Sequence, residues 1–196
     1  MTNYSTTDNQ RETIYFWLAI LSIAISSILM QLSNNNINKI IVPSGFLIFG
    51  LLILLFDNFL WKLKPFSLFV NIPDLNGKWT GTNKRTDNST NNFVVEITQT
   101  WKKIDIVVTS ENTISRTCSA TFFIDNKSNK SIRYIFTMKP IQPVKDKNLF
   151  GEGCAEIRIS QRKNEILLHG EYYSSNYLGG HFSLTKERVG KLQASH

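Results

Sequence analysis

The chain has 196 residues with only two cysteines and three histidines, and its formal charge at neutral pH is +7. So few cysteines exclude a disulfide framework, and Cys118, Cys154, His169, His181 and His196 stand at no spacing that would hold a metal or build a catalytic triad. Most of the basic excess follows Trp61; it points to an anionic partner such as a nucleotide, a nucleic acid or a lipid headgroup, although solubility and membrane topology produce the same excess.

Two apolar runs open the chain. Residues 14–32, "IYFWLAILSIAISSILMQL", carry no formal charge, and about 20 such residues at 1.5 Å rise cross a hydrocarbon core of roughly 30 Å. Residues 40–56, "IIVPSGFLIFGLLILLF", are also uncharged and can extend to Trp61 if Asp57 sits at the interface. A cleaved signal peptide is disfavoured: the first run has no basic n-region of note and no small-x-small cleavage site, and a second apolar run follows it. Two transmembrane helices joined by the short polar loop "SNNNINK" are expected. They place the N-terminus and the rest of the chain on one side of the membrane. Lys62 and Lys64 follow the second run directly, against Lys39 alone in the loop, so the positive-inside rule puts that side in the cytoplasm. The expected organisation is an N-terminal tail over residues 1–13, a helical hairpin over 14–63, a linker over 64–73, a β-domain over 74–188 and a C-terminal tail over 189–196.

From Gly77 onward the apolar period is near two. Eight runs, beginning at "GKWTGTNKR" and ending at "GGHFSLTKE", are separated by Asn, Ser, Lys, Gly and Asp clusters, and none carries a helical stripe. Eight consecutive strands on short connections predict an antiparallel up-and-down β-barrel, lipocalin-like in outline, with a β-sandwich as the alternative. Alternation assigns inward faces such as Phe93/Val95/Ile97, Ile104/Ile106/Val108 and Cys118/Ala120/Phe122. The same parity carries Asn83, Arg85, Gln99, Ser110, Arg116, Tyr134 and Tyr172 inward. The linker enters at the start of the first strand, so Asn83, Arg85, Ser110, Arg116 and Tyr172 fall at the far mouth. The longest loop, residues 139–151 with Lys145 and Lys147, is placed there too, and Tyr177 joins from the loop before the last strand. Trp79 falls at the near end as a plug. A rim of guanidinium, amide and phenol groups above an apolar floor suits a phosphate-bearing aromatic ligand, because guanidinium grips phosphate in a fork and tyrosine stacks on bases. The ligand-binding candidates are Arg116, Tyr172, Arg85, Asn83, Ser110, Tyr134 and Tyr177. No phosphate-binding glycine loop and no inward carboxylate pair is present, so a non-enzymatic role is expected, with no catalytic or metal-ligating residues.

Two N-terminal spans followed at once by a barrel opening "IPDLNGKWTG" resemble the two-transmembrane β-barrel effectors of bacterial CBASS anti-phage systems, the SMODS-associating 2TM, β-strand-rich effector domain. The resemblance covers residues 14–187, mainly as architecture; "LNGKWTG" is the local signature and is shared in part by lipocalin-like barrels. It implies a cyclic di- or oligonucleotide ligand with no cofactor, and a nucleotidyltransferase as functional partner. It also implies homo-oligomerisation on activation and disruption of the bacterial inner membrane, ending in growth arrest or cell death. No DNA or RNA polymer is expected as a partner. The competing readings are a membrane-anchored carrier or sensor of a lipid or other apolar ligand, and a structural subunit or immunity partner of a membrane complex.

Overall fold

A computed structural model describes residues 1–6, 10–34, 43–67, 70–86, 89–126, 129–141, 150–162, 165–175 and 179–187. The chain forms two compact units, Asp8–Ile72, and Met1–Thr7 together with Pro73–His196.

In the first unit, α1 spans Gln10–Asn34 and α2 spans Gly45–Asn58. With 25 residues at 1.5 Å each, α1 is about 38 Å long and sufficient to cross a bilayer core; the part long and apolar enough to do so lies within Arg11–Ser33. Two hydroxyls inside it are satisfied by its own carbonyls, Ser22 Oγ donating to Ala19 O at 2.7 Å and Ser27 Oγ to Ile23 O at 2.9 Å, as a low-dielectric surrounding favours. Ser44 caps α2, its Oγ accepting from Leu47 N at 3.3 Å. At 14 residues, α2 reaches only about 21 Å, shorter than the span expected over residues 40–56; residues 35–42 lie outside the described residues. A 3₁₀ turn over Leu60–Lys62 and the short α3 over Lys64–Ser67 follow. The two long helices pack with Gly45 against Ser26 and with Ile48 and Phe56 buried. Phe16, Trp17, Ile23, Phe46, Leu47 and Leu54 stay exposed, a surface suited to lipid rather than water. Asn58 Nδ2 donates to Leu54 O at 2.8 Å, so this residue closes its own helix end.

The second unit is a closed barrel of nine strands. β2 (Gly77–Arg85), β3 (Thr90–Gln99), β4 (Lys103–Thr109), β5 (Thr113–Asn126), β6 (Asn129–Pro140), β7 (Gly151–Arg162), β8 (Glu165–Ser174) and β9 (Gly179–Lys186) form the expected antiparallel meander, closed by β9 on β2. The ninth strand is β1, Thr2–Thr6, a segment whose sequence reads as tail because "TNYST" is too short and too polar to show a period. It pairs antiparallel with β4 and parallel with β5, so the barrel is not purely up-and-down.

The "DLNGKWTG" stretch builds the closed end. Asp74 Oδ1 accepts from Asn76 N at 3.1 Å, an Asx turn. Asn76 then brackets the end of β3, its Oδ1 accepting from Gln99 N at 2.7 Å and its Nδ2 donating to Gln99 O at 2.9 Å. The buried Gln99 side chain answers in kind, accepting from Leu75 N at 2.9 Å and donating to Pro73 O at 3.2 Å. Trp79 Nε1 donates to Leu75 O at 2.9 Å, and Leu75, Trp79, Trp101, Ile104 and Tyr4 fill the end almost without exposure. Gly77 takes φ +128, open to glycine and strained for other residues. The motif is therefore a floor, with each buried amide of the turn matched.

Candidate ligand-binding cavity

Above that floor the barrel encloses a cavity of about 220 Å³ that opens at the far end. Its lower wall is apolar: Val95, Val108, Phe136, Ile157 and Leu184, with Phe93 and Phe182 edge to face at 5.8 Å. Gly170 allows this, since a Cβ there would collide with the Phe182 ring. The upper wall is polar: Asn83 and Arg85 from the end of β2, Asn91 from β3, Ser110 to Thr113 from the β4–β5 turn, Ser115 from β5, and Tyr172 and Ser174 from the end of β8. Among the described lining residues Arg85 is the one cation and Glu111 the one carboxylate.

Five of the seven candidates, Asn83, Arg85, Ser110, Tyr134 and Tyr172, are brought together on this cavity. Asn83 Nδ2 donates to the Tyr172 hydroxyl at 2.9 Å, which leaves the opposite amide atom, Oδ1, closed off from solvent without a hydrogen-bond partner among the described residues; the same holds for Ser174 Oγ. Buried polar atoms left unmatched cost about 1–3 kcal/mol each, so both are places where a polar ligand atom would be stabilising. Ser110 Oγ is shared with Thr113 Oγ1 at 2.8 Å, which shapes the turn at the rim. Burial pushes the Tyr134 phenol well above its ordinary value, keeping it a neutral hydrogen-bonding group under all physiological conditions.

Arg116 is the correction. It lies outside the barrel, 68% exposed, with Nε 3.8 Å from Asp105 Oδ2. The cause is a β-bulge: Thr117 pairs with Phe136 and Ser119 with Ile135, so Cys118 is an extra residue. Ala120 and Phe122 point inward as alternation requires, but before the bulge the parity reverses. Arg116 and Cys118 face out, while Thr117 is buried and Thr113 and Ser115 line the cavity. Thr117 Oγ1 locks the reversal by bonding both Ile106 N and Ile106 O at 3.1 Å. Tyr177, Lys145 and Lys147 lie outside the described residues. Gln99, assigned inward by parity, is inward but belongs to the floor. Alternation overlooked Thr113, Ser115 and Ser174 as lining residues; the only cue to the first two is that "RTCSA" offers no large apolar side chain on either face to hold a register.

Two family models match the chain that carries this rim and pocket. Residues 70–186 match the Cap15 cyclic dinucleotide receptor domain, and residues 12–62 match the Cap15 transmembrane helices. The chain belongs to the Cap15 family. The Cap15 assignment makes the fold two N-terminal transmembrane helices followed by a β-barrel, and makes the protein a cyclic-nucleotide-sensing membrane effector of the CBASS type. No individual curated protein matches the chain.

Proposed function

We propose that the barrel takes a cyclic dinucleotide base-first, with one base between Phe93, Phe182 and Tyr172, a phosphate at Arg85, and polar base or sugar atoms matched to Asn83 and Ser174. The observation that carries this reading is the unmatched Asn83 Oδ1 and Ser174 Oγ beside Arg85 at the top of an aromatic pocket. A volume of about 220 Å³ is below the ~300–1,000 Å³ typical of small-molecule sites, which suits one half of a two-base ring inside and the other half at the rim.

Ligand binding then favours an assembled state of the protein, gathers the hairpins and breaches the inner membrane, and the cell stops growing. A nucleotidyltransferase is the source of the ligand. The barrel is cytoplasmic and the hairpin crosses twice. Supporting this, Lys62 and Lys64 follow α2, and β1 and β2, the two strands on either side of the hairpin, belong to one barrel, so the intervening segment must leave and return on the same side.

The apolar lower wall also favours, as a second reading, a carrier of an apolar ligand. Calorimetric titration of the full-length protein with cyclic di- and trinucleotides, beside fatty acids and lysolipids, separates the two. Saturable binding of a cyclic nucleotide, together with growth arrest only when a synthase is co-expressed, is expected. Binding of lipid alone, or periplasmic activity of a reporter fused after His196, would overturn the receptor reading.

A further inference from the structure

β1 stands apart from the other eight strands. It touches two residues of β4, with Thr2 opposite Ile104 and Asn3 opposite Lys103, and three of β5, with Tyr4, Ser5 and Thr6 opposite Ala120, Thr121 and Phe122. β4 and β5 are in ladder register only where Val107–Thr109 face Ile114–Arg116, with the Thr117 hydroxyl bridging to Ile106 just beyond. Beyond that, the Cys118 bulge turns β5 away from β4 and leaves a slot one strand wide, running to the closed end of the barrel.

The slot is built for an extended segment with one aromatic residue. Both walls offer backbone hydrogen-bonding groups, and Tyr4 N donates to Lys102 O at 3.2 Å. The Tyr4 ring meets Phe122 edge to face at 4.9 Å, and its hydroxyl donates to Trp101 O at 2.5 Å. Yet Tyr4 is the one fully buried side chain of the strand's five residues. A five-residue strand that buries one side chain, and otherwise adds backbone pairing and contacts of the half-buried Thr2 and exposed Ser5 hydroxyls, has little apolar burial to hold it and belongs to the part of a structure that opens most readily. When it leaves, two unpaired edges face each other, and such edges recruit a replacement.

We infer that the β4–β5 slot is an exchangeable strand-binding site, filled by the protomer's own β1 in isolation and by β1 of a second copy when protomers assemble. The occupant on the page is this chain's own segment, and the same segment of another copy makes the same contacts. Exchange is therefore decided by proximity rather than by new contacts. β1 leads directly into the membrane helix α1, so confinement to a bilayer raises the local concentration of the competing strand. This mode of association goes beyond the proposed ligand and does not depend on which molecule fills the cavity.

The Ser5 and Thr121 hydroxyl oxygens lie 2.8 Å apart on registered residues, close enough for a disulfide between substituted cysteines. Two differently tagged full-length proteins, each with Cys118→Ser and Cys154→Ser, carry Ser5→Cys in one and Thr121→Cys in the other. They are reconstituted together at high density in vesicles and oxidised. A disulfide-linked dimer bearing both tags is expected, at least about tenfold above a control in which Thr121→Cys is replaced by Lys84→Cys near the far end of the barrel. The double variant Ser5→Cys/Thr121→Cys reports seating of β1 within one chain. If it closes its internal disulfide while the mixed single variants give no more dimer than the Lys84→Cys control, strand exchange is overturned. Failure of the double variant to close overturns the seated strand itself. Adding a cyclic dinucleotide addresses the other reading: an unchanged dimer yield would count against ligand-driven assembly and leave strand exchange standing.

Discussion

Two arginines separate the bulged barrel from a regular one. Arg85 lines the cavity and Arg116 lies on the outer wall. Replacing Arg85 with alanine removes the single cation from the described rim. A charge-assisted contact to phosphate contributes about 1.5–3 kcal/mol, and each ~1.4 kcal/mol is a factor of ten, so affinity for a cyclic dinucleotide should fall roughly 10- to 150-fold. Arg85→Lys, which keeps the charge without the fork, should fall between. Arg116→Ala breaks a 3.8 Å pair whose arginine is 68% exposed. Exposed pairs contribute about 0.2–1 kcal/mol to stability at most, so its melting temperature should drop by no more than a few degrees and its affinity should stay within about twofold of the parent. Calorimetric titration and circular-dichroism melting on the same detergent-solubilised preparations give both quantities. If Arg116→Ala loses as much affinity as Arg85→Ala while remaining folded, the Cys118 bulge is not how β5 meets its ligand, and the cavity assignment of Ser115 and Thr113 falls with it.

Gln99→Ala should unfold the floor before it touches the site. It strands Leu75 N and Pro73 O, at about 1–3 kcal/mol for each group left buried, and a melt showing no loss of stability would refute the plug. Tyr134 supplies a pH dependence. Its folded phenol is raised by burial while the unfolded one titrates near 10, so its contribution to stability is constant below about pH 10 and declines above it. Urea midpoints measured from pH 8 to 11 should therefore fall more steeply in the parent than in Tyr134→Phe, and parallel curves would contradict this. Ile25→Arg places a charge in mid-α1, at roughly 2.5–3.5 kcal/mol on insertion scales. Membrane fractionation should show reduced insertion, with cyclic dinucleotide binding retained by the solubilised protein; full insertion would argue against α1 as a span.

The barrel was legible because most of its strands alternate apolar and polar residues, and in β3, β4, β6, β7, β8 and β9 the alternation assigned the buried residues correctly. Asn83, Arg85, Ser110, Tyr134 and Tyr172 followed from the same parity. Arg116 failed because alternation assumes an unbroken pleat. One inserted residue in a stretch of Thr, Cys and Ser, where neither face has a strong claim on the core, reverses everything upstream of it. β1 was invisible for a different reason: its partners lie about a hundred residues away, as Thr2 Oγ1 on Ile104 O attests, and five residues with one aromatic carry no local pattern. Where the second helix begins is not legible from composition, which stays apolar from residue 40 onward; Pro43 and the Ser44 cap set the start of α2 at Gly45.

The long reach of β1 also orders events during synthesis. Ile104 and Ala120, against which β1 settles, leave the ribosome about a hundred residues after it. At ~5–20 residues per second the N-terminal strand waits on the order of 5–20 s for its slot to exist. Both apolar runs emerge within that interval. Membrane insertion therefore precedes sealing of the barrel, and each newborn protomer passes through a stage, already at the bilayer, in which its first strand has no home. Chains made from one messenger at neighbouring ribosomes share that stage, so the strand exchange inferred above would have its best opportunity at the site of translation.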